Sequence, residues 1–222
     1  MNYILNIETA TRNCSVSLSQ NGIVITCKEI AEAGYSHAEK LHVFIDEILK
    51  ENKLTFKDLS AIAISQGPGS YTGLRIGVSA AKGLCYSLDI PLIAIDTLEI
   101  LARKLTVEQG KIIPMIDARR MECYTAIFNN KHEKIREVKA EIIDENSFEE
   151  IRETIHFVGD GAAKCKDILT NEKFIYHDEI EFPSANEMSK IAYDKYKKND
   201  TVDVAYFEPF YLKDFMMTVS SK

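Results

Sequence analysis

No stretch of this sequence approaches 18 apolar residues, so no membrane-spanning helix is predicted. The N-terminus, Met1-Asn2-Tyr3-Ile4-Leu5, lacks a basic leader, and Asn6 and Glu8 interrupt its apolar run, so no signal peptide is expected. The five cysteines, Cys14, Cys27, Cys85, Cys123 and Cys165, are odd in number and never form a CxxC pair. That disfavours a zinc site or disulfide framework and predicts reduced thiols in a cytoplasmic protein. Positive charge is short too: 27 Lys and Arg against 34 Asp and Glu leave a net charge of −7. A free-standing nucleic-acid binder would show a basic surface, although a subunit of a complex whose other member holds the nucleic acid need not. Catalytic signatures are missing as well. There is no HExxH, no Gly-x-Ser-x-Gly elbow and no Cys–His couple. His37 and His42, five residues apart, point to different faces of a helix and do not make a metal pair.

What is present is an ordinary supply of core material. Of 222 residues, 45% are hydrophobic and 27% charged, enough for one large domain or two small ones. The chain centres on residues 61–84. Ala61 to Ser65 reads as a buried strand, Gly67-Pro68-Gly69 as a turn, and Ser70 or Thr72 as the cap of a following helix. Gly69, Gly73, Gly77 and Ala81 recur every fourth residue and form one row along that helix. A helix-interior glycine costs about 1 kcal/mol relative to alanine, so the row implies close approach of another backbone. Such a loop can also cradle phosphate, but Gly73 is followed by Leu74-Arg75 rather than the Lys-Ser/Thr of a Walker loop. A dinucleotide fingerprint would need two residues, not three, between its second and third glycines. Helix packing, within the chain or between chains, outranks phosphate binding.

Taken in order, the chain opens with strands at Tyr3–Ile7, Cys14–Leu18 and Ile23–Ile30, with a polar turn at Glu8 to Asn13 carrying hydroxyls at Thr9 and Thr11. A helix begins near Ser36, with Ser36 as N-cap and Glu39 closing a capping box, and Leu41, Phe44, Ile45, Ile48 and Leu49 form its apolar stripe. A second buried strand, Ile90–Ile95, leads into a helix capped at Asp96-Thr97-Leu98-Glu99, and Gly110-Lys111 marks a boundary. The second half repeats the pattern: strand 112–116, a turn at Asp117-Ala118-Arg119-Arg120, then strands at 122–128 and 135–138. Residues 145–154 read as an acidic helix, 155–163 as strand, glycine turn and helix, 183–196 as a helix, and 206–212 as an aromatic strand. The order is that of an α/β fold with mixed sheets, carrying a faint internal repeat of topology.

The segments Ile4-Leu5-Asn6-Ile7-Glu8-Thr9-Ala10-Thr11, Gly67-Pro68-Gly69-Ser70-Tyr71-Thr72-Gly73-Leu74-Arg75-Ile76-Gly77 and Ile95-Asp96-Thr97-Leu98 resemble the bacterial TsaB family, also called YeaZ. Asp117-Ala118-Arg119-Arg120 with Glu122 and Tyr124, Gly159-Asp160-Gly161, Pro183-Ser184-Ala185 and Tyr211-Leu212 match in the same order. The resemblance implies two actin-like subdomains of the acetate kinase and actin superfamily, divided as 1–108, carrying the dimerisation helices, and 109–222. It also implies a role in making N6-threonylcarbamoyl-adenosine next to the anticodon of tRNAs reading A-starting codons. There the chain would be a non-catalytic scaffold that docks and activates TsaD, works beside the ATPase TsaE, self-dimerises in isolation and meets tRNA only through the complex. No cofactor of its own is implied, with ATP or ADP confined to the interface with TsaD. Glu8 stands where many family members carry Asp; one added methylene moves the carboxylate by about 1 Å, enough to argue against intrinsic ATP hydrolysis.

Under this reading the helices at 36–50 and 72–87 form the docking surface, with Gly73, Gly77 and Ala81 admitting a partner helix and Leu41, Ile45, Leu74 and Val78 packing around them. The alternative is a small actin-like ATPase or phosphotransferase holding phosphates with Thr9, Thr11, Gly67 and Gly69; a metallopeptidase is weaker still.

Overall fold

The computed structural model describes residues 1–31 and 37–212. The expected cap at Ser36 lies outside the described residues. Two five-stranded sheets organise the chain. In the first, β1 (Tyr3–Glu8), β2 (Asn13–Gln20) and β3 (Ile23–Ala31) form an antiparallel meander, and β4 (Leu59–Gly67) and β5 (Leu92–Asp96) continue it in parallel, giving the order β3-β2-β1-β4-β5. The second sheet repeats this. Its meander is β6 (Lys111–Asp117), β7 (Glu122–Asn129) and β8 (Lys134–Ile142), and its parallel strands are β9 (Ile155–Val158) and β10 (Phe174–Tyr176). Read from β8, its order is β8-β7-β6-β9-β10, the same topology as the first sheet.

Alternation along β2 decides which layer covers each face. Cys14, Val16 and Leu18 enter a core shared with Leu41, Ile45 and Ile48 of α1 (His37–Glu51) and with Val78, Ala81 and Cys85 of α2 (Tyr71–Leu88). The intervening Ser15, Ser17 and Ser19 are fully buried on the other face, against α5 (Ala185–Lys197). There Ser17 Oγ donates to Ala185 O (2.7 Å), Ala185 N–H donates to Ser15 Oγ (3.0 Å) and Asn6 Nδ2 donates to Ser189 Oγ (3.2 Å). Most buried hydroxyls and amides find such partners. Met188, Ile191 and Ala192 of α5 complete an apolar layer over Ile4, Ala61, Ala63, Ile93 and Ile95.

Helices are therefore exchanged across the expected division between residues 108 and 109. The strands separate there, but α5, from the C-terminal half, covers the first sheet. In the opposite sense, α3 (Thr97–Ala102) turns Ile100 towards the first-sheet core and Leu98, Leu101 and Ala102 into the core of the second sheet. A six-residue helix buried at every position but Glu99 has its place between two layers. The second sheet's other face packs on α4 (Asp160–Cys165) through Phe157, Ala162, Cys165 and Leu169.

Two expected elements do not form. Residues 145–154 make successive turns rather than a helix, with Phe148 at φ 67°. The side chain of Asp144 accepts from Asn146 N–H (3.0 Å) and from the Ser147 hydroxyl (3.0 Å), a local alternative to the helical ladder. Residues 206–212 form no strand either: Pro209 lacks an N–H, and the segment is held by scattered bonds such as Phe210 N–H to Gln66 O (2.7 Å). Among the described residues no helix is long and apolar enough to cross a membrane.

Among the described residues an ion pair joins the halves. Asp96 caps α3 through Oδ1, which accepts from Leu98 N–H (2.9 Å), while its Oδ2 takes Lys134 Nζ of β8 (2.7 Å). Burial pushes the Asp96 carboxyl up, and Lys134 draws it back down. Lys134→Ala leaves that carboxylate buried without its cation and is expected to cost about 2 kcal/mol in urea unfolding. A loss under about 0.5 kcal/mol, the scale of an exposed pair, would mean the bridge is solvent-screened.

Candidate functional site

Because β1 ends in a polar turn and β4 in a glycine loop, the parallel pairing of these strands brings turn and loop together. Ser70 caps α2, its Oγ accepting from Gly73 N–H (3.3 Å), and Ser70 N–H donates to Ala10 O (2.6 Å). Thr9 Oγ1 donates to Gly73 O (2.8 Å). A Cβ at Gly69 would overlap Ala10 O, one at Gly73 would overlap Thr9 O, and one at Gly77 would overlap Thr9 Oγ1. The approaching backbone that the glycine row requires is thus the β1–β2 turn of the same chain.

The geometry places both sets of expected site residues inside the first lobe. Thr9 and Thr11 are buried, the Thr9 hydroxyl is engaged by Gly73, Gly69 faces Ala10, and a Cβ at Gly67 would come within 2.8 Å of Phe210 O. Loop and turn close on each other instead of presenting these groups to a phosphate. In the expected partner interface, Leu41, Ile45, Leu74, Val78 and Ala81 are core residues and Gly73 and Gly77 lie under the turn. No partner helix reaches them while the lobe is folded.

The same two helices present a different face. On α2 the exposed positions are Thr72, Arg75, Ser79, Gly83, Tyr86 and Ser87, and on α1 they include His42 and Val43. Tyr86 is 86% exposed and Val43 47% exposed, with Phe44, Ile76, Ala80 and Leu84 half-buried on the same helices. Gly83 differs from the glycines of the row: a Cβ there would meet nothing within 4 Å. The sequence signal was available, since Ser79 and Gly83 are themselves four apart, but the longer glycine row masked it.

Beneath the turn, Glu8 is fully buried and its Oε1 accepts from Ala10 N–H (2.6 Å). Burial raises its pKa to about 7, against the pull of the Ala10 N–H and of Ser65. His37 Nε2 lies 2.8 Å from Thr11 O, so this histidine tethers α1 to the same turn.

The second lobe's counterpart is the β6–β7 turn. Lys164 of α4 pairs with Asp117 and donates to Arg120 O (2.8 Å) and Glu122 O (2.7 Å). Asp160 Oδ1 accepts from Asp117 N–H (2.9 Å), and burial, with the Asp117 charge adding, lifts Asp160 to about 6. Arg119 and Arg120, both exposed, have φ of 71° and 52°. Among the described residues no three His, Cys, Asp or Glu side chains gather as a metal site.

Fold and site together define a duplicated, two-lobed α/β protein whose first-lobe β1–β2 turn is closed by its own glycine helix. A family model described as TsaD, tRNA N6-adenosine threonylcarbamoyltransferase, matches residues 29–219. The Escherichia coli tRNA threonylcarbamoyladenosine biosynthesis protein TsaB is 31% identical over 221 residues, covering 95% of this chain and 94% of that protein. Its Bacillus subtilis namesake is 30% identical over 222 residues, covering 95% and 93%. The solved structure of YeaZ from Pseudomonas aeruginosa shares the fold, with a TM-score of 0.83, 23% identity and coverage of 96% of this chain and all of that one. The chain belongs to the TsaB (YeaZ) family within this threonylcarbamoyladenosine group.

Proposed function

We propose that this chain is the scaffold subunit of the cytoplasmic complex that installs N6-threonylcarbamoyl on the adenosine next to the anticodon of tRNAs reading A-starting codons. It docks and activates TsaD, with TsaE as a further partner, and makes no covalent chemistry itself. Family membership supports the pathway. The observation that carries the scaffold reading is the open face of the first lobe's helix pair, where Val43, Tyr86 and Gly83 stand free of the monomer core. A glycine with open space beside it admits a partner helix, and exposed apolar side chains at its flanks supply area. In isolation the same face would pair two copies; with TsaD present the enzyme takes it. The closed turn under the glycine row is why a phosphotransferase is not preferred, and any ATP or ADP is assigned to the interface with TsaD.

Light scattering behind a sizing column tests this, on the protein alone and mixed with TsaD from the same organism. A dimer that exchanges into a mixed complex is expected, and a monomer that ignores TsaD would sink the reading. Gly83→Leu with Tyr86→Ala should weaken the mixed complex at least tenfold while thermal unfolding stays within about 1 kcal/mol of the parent, because neither position packs in the monomer.

A further inference from the structure

Two histidines meet where the chain leaves the second lobe. His156 lies in β9 with 9% of its surface exposed, and His177 directly follows β10. His156 Nδ1 is 3.0 Å from His177 Nε2, so one ring donates and the other accepts. Proton counting decides which. The other nitrogen of His156, Nε2, sits at the 109–110 corner, where the Gln109 carbonyl accepts its N–H. A neutral imidazole carries a single N–H, so Nδ1 of His156 is bare and His177 Nε2–H donates to it. The outer nitrogen of His177, Nδ1, faces Glu179 Oε1 at 3.4 Å.

The two rings therefore take protons unequally. A first proton goes to His177 Nδ1, where a carboxylate faces it and the ring–ring bond is untouched. A second must go to His156 Nδ1, the lone pair that makes the bond, and would put two cations 3.0 Å apart. Burial and the His177 charge hold the His156 ring below the usual histidine range, with the Gln109 carbonyl pulling the other way. Charged groups on the surrounding elements have partners of their own. Lys111 of β6 pairs with Glu153, Arg103 after α3 with Glu99, and Asp178 with Lys166. Lys104 donates to Phe182 O (3.1 Å), His132 Nε2 lies 2.8 Å from Leu105 O, and Glu181 acts on Asp160.

The ring–ring bond closes the turn that begins the crossing to the first lobe. His177 N–H donates to Phe157 O (3.0 Å), Ile180 N–H to His177 O (3.0 Å) and Gly159 N–H to Ile180 O (2.7 Å). Ile180 enters the second-lobe core, and three residues on, just before α5, Pro183 O accepts from Asn13 Nδ2 (2.9 Å).

We propose that His156 and His177 form a proton-operated latch on this crossing, shut near neutral pH and released in acid when His156 Nδ1 takes a proton. The latch belongs to this chain alone and does not depend on the scaffold reading.

Hydrogen exchange at the Gly159, His177 and Ile180 amides, corrected for intrinsic exchange, reads the latch locally. A local readout is needed because Glu8 and Asp160 move global stability the opposite way over an overlapping range. The released His156 ring titrates near the ordinary 6.5 while the latched ring resists. Opening should therefore rise about five- to tenfold from about pH 7.5 to about pH 5.5. His177→Gln should flatten the rise to under about twofold, because an amide donates to a bare Nδ1 and, turned over, accepts from a protonated one. Asp160 is the same in both proteins, so its titration cancels. Ring-nitrogen NMR of the parent at neutral pH should show the His156 proton on Nε2. A proton on Nδ1 would overturn the proposal, as would a flat pH response in the parent or an equal rise in the variant. Protection lost at neutral pH on adding EDTA would make the pair a metal site and overturn it as well.

Discussion

Gly77→Leu is expected to prevent the first lobe from folding, and Gly83→Ala, six residues further along the same helix, to stabilise it. At Gly77 even a Cβ overlaps Thr9 Oγ1 and sits 3.0 Å from Ile64 Cδ1, so a leucine must expel the β1–β2 turn. That turn holds Glu8, the Thr9 bond to Gly73 and the Ala10 bond to Ser70, none of which survives the displacement. Overpacking usually costs about 1 to 3 kcal/mol; with a turn this constrained beneath it, a loss of roughly 4 kcal/mol or more is expected. Gly83→Ala adds its methyl to open space and removes a flexible residue from a helix interior, a gain of up to about 1 kcal/mol. Urea titrations followed by circular dichroism separate the two. A folded Gly77→Leu protein that merely fails to bind partners would show that the glycine row serves an interface after all.

The second large effect is on pH dependence and centres on Glu8. Its folded pKa of about 7 exceeds the reference 4.5, because burial disfavours the carboxylate. The folded state therefore binds more protons than the unfolded state between these values, and stability falls as pH rises. The contribution is fully present below about pH 4.5 and is lost by about pH 7, a span of about 3 kcal/mol. Asp160, lifted from 3.8 to about 6, acts in the same direction over a lower window. Glu8→Gln keeps an acceptor for Ala10 N–H and removes the ionisation. The variant should match the parent near pH 5 and exceed it by about 3 kcal/mol at pH 8. Equal slopes for parent and variant between pH 5 and 8 would mean that Glu8 does not carry the shift.

Local chemistry was legible wherever the deciding groups are near in sequence. Ser70 and Asp96 accept the helix-start N–H bonds expected of them, and Ser184 does the same for α5. The duplicated meander followed from alternation and turn residues alone. The glycine row announced a close approach because glycine has little other reason to recur inside a helix, yet nothing local says which backbone approaches. The nearest strand-end turn of the same lobe approaches Gly69, Gly73 and Gly77, while Leu41, Ile45, Val78 and Ala81 pack into the core beneath the sheet. Residues 145–154 had helical composition, but Asp144 and Ser147 captured the backbone. The exchange of α5 was invisible, since its amphipathic pattern names an apolar face and not the sheet that receives it.

That exchange bears on how the chain is made. The face of β1 and β4 carrying Ile4, Ala61 and Ala63 is closed by Met188, Ile191 and Ala192, and the Asn6–Ser189 bond spans 183 residues. On a ribosome the first strands emerge long before the helix that covers them, so the N-terminal sheet waits with one side bare while the second lobe is synthesised. Contacts of such separation slow folding and leave apolar surface open to other chains in the interval. The protein is therefore a single unit in synthesis, though two lobes in architecture: its first half is finished last.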